Sequence, residues 1–160
     1  MRNRLIILAA CGIAATTLVL SGLPAAASTR SHPPFAAGVV RLDGAQETQA
    51  ADPDGRGTFA YLAAKDKLCY LLTARKIEPA AMAHIHTGAR GVAGGIVIGL
   101  EAPTDGVSFD CITAVANDTP NTTAVLLQSE LDAIVANPAG FYVNVHNAPF
   151  PAGAIRGQLR

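Results

Sequence analysis

From Gly38 onward, apolar and polar residues alternate with a period of two in short runs separated by turn residues. That is the pattern of β-strands with one buried face. It predicts strands near 39–46, 56–64, 67–74, 81–87, 95–101, 109–115, 140–147 and 153–159. Asp52-Pro53-Asp54-Gly55 and Lys65-Asp66-Lys67 read as tight polar connections between neighbouring strands. Gly88 to Gly95 is a glycine-rich strand connection; it lacks the Lys-Ser/Thr ending of a phosphate loop and leads into a strand rather than a helix. One segment leaves the period of two. Ser129-Glu130-Leu131-Asp132 fits a capping box, Leu131, Ile134 and Val135 recur at helical spacing, and Asn137-Pro138 stops the run. The expectation is an all-β domain, an antiparallel β-sandwich or barrel of about eight strands, with one short helix around 129–136 lying across one end.

The first 27 residues read as a secretory signal peptide: Arg2 and Arg4, an apolar run from Leu5 to Leu20, then Ala25-Ala26-Ala27 before Ser28. Leu8-Ala9-Ala10-Cys11 also looks like a lipoprotein box, but the apolar run continues well past Cys11. Residues 28–37 are a Pro-rich leader, expected to be flexible and to hold His32 away from any site, and 38–160 form the β-domain. No second apolar run is long enough to span a membrane. Cleavage near Ala27–Ser28 leaves 133 residues, enough for one domain with one core, and a secreted location. It also leaves ten basic residues against twelve acidic ones, without a basic stripe, which argues against nucleic-acid binding. Cys69 and Cys111 remain as an even pair, and neither lies in a C-x-x-C motif. A disulfide is the better reading than two free thiols or a metal site; its 42-residue loop would contribute roughly 3–4 kcal/mol.

Alternation also collects the polar chemistry. His84 and His86 project to one side of their strand, as do Tyr142, Asn144 and His146 of theirs, while Ile85, Val143 and Val145 face a core. In the last strand Ile155, Gly157 and Leu159 share one face, with Arg156 and Gln158 on the other. If these three strands are neighbours, their polar residues form one surface.

Several segments, in order, resemble the chordin-type domain family, usually called CHRD. They are Leu42-Asp43-Gly44-Ala45-Gln46-Glu47, Ala83-His84-Ile85-His86-Thr87-Gly88, Gly94 to Leu100, Phe141-Tyr142-Val143-Asn144-Val145-His146 and Phe150 to Leu159. The resemblance covers roughly residues 39–159 and implies an extracellular β-domain module whose molecular activity is poorly defined. Members commonly carry Thr after the last His and Glu before Ile-Arg-Gly, where this chain has Asn147 and Ala154.

Three roles suit the polar face. His84, His86 and His146 could bind copper or zinc, since neutral imidazole suits both. The histidines could instead be structural, bonding loop carbonyls and Asn144 so as to pin the Gly-rich loop to the terminal hairpin. Or Tyr142, Asn144, Arg156 and Gln158 could form a surface for an extracellular protein or glycan. No nucleophile triad is legible among Ser28, Ser31, Ser108 and Ser129, and Asp43 and Glu47 read as solvated or turn-bonding carboxylates. The leading expectation is a non-enzymatic binding or structural module; the alternative is a three-histidine metal protein, possibly with redox activity.

Overall fold

A computed structural model of the chain describes residues 34–160. The expected signal peptide and leader residues 28–33 lie outside the described residues. Eight strands alternate with turns: β1 (Phe35–Asp43), β2 (Arg56–Ala64), β3 (Lys67–Arg75), β4 (Ala80–Thr87), β5 (Ile96–Leu100), β6 (Val107–Thr113), β7 (Phe141–Asn147) and β8 (Ile155–Gln158). A single helix, α1 (Gln128–Ala136), falls between β6 and β7. All strands join one antiparallel sheet in the order β5-β4-β7-β8-β1-β2-β3-β6. The sheet curls into a nearly closed barrel, which decides between the two architectures expected. Its ends are linked by side chains: the Tyr70 hydroxyl accepts from the Glu101 N–H at 2.8 Å, and the Ser108 hydroxyl donates to the Glu101 carbonyl at 2.7 Å.

Alternation decides what the barrel encloses. Leu42, Phe59, Leu68, Leu72, Ile85, Val143, Val145 and Ile155 are all nearly inaccessible to solvent. Phe59 stacks on Tyr61 and Tyr70 at the centre of this core. Leu131 and Ile134 of α1 add to it from one end. Burying each such aliphatic side chain contributes on the order of 2 kcal/mol, so the helix is held mainly by packing rather than by its own nine residues.

The turns follow local chemistry. The Asp52 carboxylate accepts from the Asp54 and Gly55 amides, closing the turn into β2. Between β2 and β3 the chain reverses through Lys65 and Asp66, with Lys65 in the left-handed region at φ 56°.

Two local expectations change, and one irregularity joins them. β1 begins at Phe35, so residues 35–37, assigned to the leader, are strand paired with 62–64 of β2. The helix begins at Gln128, and Ser129 does not cap it. The Glu130 carboxylate takes the Leu127 N–H at 2.9 Å, while Asn117, distant in sequence, takes the Ser129 N–H at 2.9 Å. A bulge between Ala80 and Met82 resets the alternation of β4, leaving Ala80 in the core while Met82, His84 and His86 share the opposite face.

Cys69 and Cys111 face each other on β3 and β6 and are bonded, with Cα atoms 3.9 Å apart. The bond ties the edge strand β6 to the sheet. Alkylation of the denatured, unreduced protein should therefore modify neither cysteine, as read by peptide mass; a labelled Cys69 or Cys111 would refute the pairing.

Candidate metal centre

Strand order brings the two histidine segments together. β4 pairs with β7 and β7 with β8, so His84, Asn144 and Arg156 lie in one cross-strand row and His86, Tyr142 and Gln158 in the next. Met82 pairs with His146 in the third row. The condition for one polar surface, that these three strands be neighbours, is met.

This face is covered. Every residue of β7 is buried, by the core on one side and by loops on the other. The cover is the Gly88–Gly95 connection, clasped from below by β8. Arg156 donates to the Val92 carbonyl at 3.0 Å and the Ala89 carbonyl at 2.9 Å, and lies 3.4 Å above the Tyr142 ring. Gln158 donates to the carbonyls of Gly88, Ala139 and Phe141. Gly88, at φ 142°, sits so close to Val92 and Tyr142 that a Cβ there would collide with the Val92 carbonyl. Tyr142, Asn144, Arg156 and Gln158 are each under a tenth exposed. They do not form the exposed binding surface expected of them, because the loop they hold shields them from any partner. Arg156 and Gln158 share the loop-pinning role with the histidines, since His86 meets the Gly94 carbonyl and His146 meets the Pro151 carbonyl and Asn144.

The imidazoles converge beside this clasp. Ring centroids of His84, His86 and His146 lie 5.0 to 6.3 Å apart, and one nitrogen from each falls within 4.8 Å of the others. Each buried ring is oriented by the backbone. His86 Nδ1 meets the Gly94 carbonyl at 3.0 Å, and the ring stacks on Tyr142 at 4.8 Å. His146 Nδ1 meets the Pro151 carbonyl at 3.0 Å. A carbonyl only accepts, so Nδ1 carries the hydrogen in both rings and the neutral form leaves its lone pair on Nε2. The His86 Nε2 atom is buried and has no hydrogen-bond partner among the described residues. His146 Nε2 lies 2.9 Å from the Asn144 amide and 3.1 Å from His84 Nδ1, a donor when that nitrogen bears the hydrogen.

Burial, the largest cause, lowers the pKa of all three rings. His84 falls from 6.5 to about 4, driven further by His146 and His86. His86 is pushed down by burial and the Arg156 charge against the opposing Gly94 bond and the nearby Asn144 amide, and His146 by burial and His86 against the bond of Pro151. The cluster is neutral at pH 7, the state a metal requires. Three nitrogens about 2.0–2.1 Å from one ion stand at most about 4 Å apart, a limit that His84 Nδ1 and His146 Nε2 already meet at 3.1 Å, so a small closure of the cluster would admit an ion.

Two further residues adjoin the cluster. Glu47 follows a one-turn 3-10 helix, Gly44–Gln46, that Asp43 caps through the Gln46 amide. Asp43 is turn-bonding as expected, but Glu47 is not solvated. Its carboxylate lies against Gly153, with Oε1 buried and unpartnered among the described residues. Burial raises its pKa, against the Arg156 charge and an Asn144 hydrogen bond. Met82 is the other neighbour, and its signal was legible: it stands two residues before His84.

The histidine segments and the β8 clasp thus belong to one structural unit, and residues 39–159 match the family described as CHRD domain. The chain belongs to that family. No curated protein and no solved structure matches it. Both departures from the common CHRD pattern fall at this site. Asn147 is buried and takes the Phe150 N–H at 3.0 Å. Ala154, bonded to the Val145 carbonyl beside His146, brings no carboxylate, and the nearby acid is Glu47. The CHRD family and the disulfide are consistent with an extracellular setting. No helix among the described residues is long and apolar enough to cross a membrane.

Proposed function

We propose that this CHRD domain is an exported, non-enzymatic module that binds one copper or zinc ion through His84, His86 and His146. The observation that carries this reading is His86. Its Nδ1 is anchored on the Gly94 carbonyl, its Nε2 is buried without a hydrogen-bond partner among the described residues, and one of its ring nitrogens lies within 4.8 Å of one from each of the other two imidazoles. Metal-ligating histidines are usually oriented through the second ring nitrogen in this way. A purely structural histidine would have both nitrogens satisfied, because an unpaired buried polar atom costs about 1–3 kcal/mol.

His146 supports the same reading. As placed, both its nitrogens face oxygens, which would require the imidazolium that burial disfavours. A neutral ring with the Asn144 amide turned to present its NH2 removes the conflict, and a bound cation at Nε2 would remove it equally.

The test is metal content of the purified protein and its titration with copper(II) and zinc(II). Binding tighter than about 10 μM is expected, weakened at least about 100-fold in His86→Ala. Binding no tighter than that, or unchanged in the variant, would sink the reading.

A further inference from the structure

We infer that Met82 is a fourth, thioether ligand of this centre and makes it selective for copper(I). The inference rests on the three-histidine reading and adds a residue and an oxidation state to it.

Its basis is placement. Met82, His84 and His86 follow at two-residue intervals on one face of β4, so Met82 stands as far from His84 along the backbone as His86 does. The His84 and His86 rings are 5.5 Å apart at that spacing. Met82 is also the direct cross-strand partner of His146, which sets their Cβ atoms about 4.5–5.5 Å apart. Met82 thus flanks two of the three imidazoles.

The bulge between Ala80 and Met82 puts Ala80, and not Met82, in the core. Without that extra residue, Ala80 and Met82 would share a face; instead Ala80 packs in the core and Met82 stays 48 % exposed beside half-buried His84. Met82 belongs to no part of the hydrophobic core. Three rotatable bonds let its sulfur swing over the more open side of the cluster, at half-buried His84.

The donor set then names the ion. Three neutral imidazoles and a thioether carry no charge, and the Arg156 guanidinium near His86 is balanced by Glu47, so no ligand of the set offsets a second positive charge on the ion. A monovalent, soft cation suits that environment better than a divalent one. Thioether sulfur favours copper(I), whereas zinc sites draw on histidine, thiolate and carboxylate. Met82 is the one methionine besides Met1, so sulfur bound to the ion has a single source in the folded domain apart from the disulfide, which lies across the sheet on β3 and β6.

The experiment compares wild type, Met82→Leu and His86→Ala. Copper(I) affinity is measured without oxygen against the chromophoric chelator bathocuproine disulfonate, and zinc(II) affinity in parallel. Leucine at an exposed position conserves volume, and an unchanged melting temperature checks that the variant is folded. Copper(I) affinity should fall at least tenfold in Met82→Leu, with zinc(II) affinity within threefold of wild type. X-ray absorption of the copper(I) protein should show a sulfur neighbour that Met82→Leu lacks. If copper(I) binds Met82→Leu as tightly as wild type while His86→Ala loses it, Met82 is not a ligand and the histidine reading stands. If wild type binds neither ion, both fall together.

Discussion

Replacing Arg156 with Leu should lower the stability of the domain by about 3–5 kcal/mol, the cost of breaking a buried charge network by removing one partner. Arg156 is 1 % exposed, the largest fully buried side chain among the described residues. Its guanidinium holds the Ala89 and Val92 carbonyls and the Gln158 amide oxygen, lies over the Tyr142 ring, and balances the buried Glu47 carboxylate. Leucine satisfies none of these, so the loop carbonyls must reach water, which means lifting the loop. Arg156→Lys keeps the charge but cannot span two carbonyls with a planar fork or stack on Tyr142, so an intermediate loss is expected. Urea unfolding measures both, as a lower midpoint at unchanged slope. Amide exchange should accelerate at Ala89 to Gly95 before it does in β2 and β3. A loss below about 1 kcal/mol for Arg156→Leu would show that the clasp is dispensable.

That a charged residue holds the site together was not legible from its strand. Arg156 alternates with Ile155 and Gly157, and alternation correctly assigns it to the face opposite the core. What alternation cannot state is whether that face is wet. A lone arginine on a strand reads as solvated because charged side chains are rarely buried without partners. Here the partners are loop carbonyls more than sixty residues away in sequence. For the same reason Tyr142 and Gln158 looked available for binding.

Elements fixed by local pattern fared better. β2 runs from Arg56 to Ala64 as its alternation and flanking turns predict, and Ile85, Val143 and Val145 are fully buried as their phase requires. The helix lies where its spacing predicts, but the capping begins one residue earlier, with Glu130 on the Leu127 N–H, and Asn117 takes the Ser129 N–H, a partner no local capping rule includes. Glu47 was misjudged because a 3-10 turn, not a strand, decides where its carboxylate points. The histidine cluster needed both kinds of information. Alternation paired His84 with His86, but only the β4-β7-β8 order sets them beside His146.

The metal-free domain should lose stability as pH falls from about 6.5 toward 4, with His84 the main contributor. Its pKa is about 4 in the fold against an ordinary 6.5, because burial and two neighbouring imidazoles disfavour its charged form. The unfolded chain therefore binds the proton first. The stability contributed by the neutral ring is complete above the unfolded value, declines as pH drops below it, and stops changing below the folded value. His86 and His146 are shifted the same way and add to the effect. Glu47 opposes it: burial raises its folded pKa, so its protonation on acidification favours the fold. For His84 alone the loss is on the order of 2 kcal/mol, less than full linkage because the ring is partly open to solvent and screened. Urea midpoints at pH 7, 6, 5 and 4, with a chelator present, should fall through this window, and His84→Gln should flatten the profile. Copper(I) or zinc(II) should restore the midpoint at pH 6, since a cation that binds only the folded, neutral rings competes with the proton for the same lone pairs. A His84→Gln profile as steep as that of wild type would place the acid sensitivity outside the cluster.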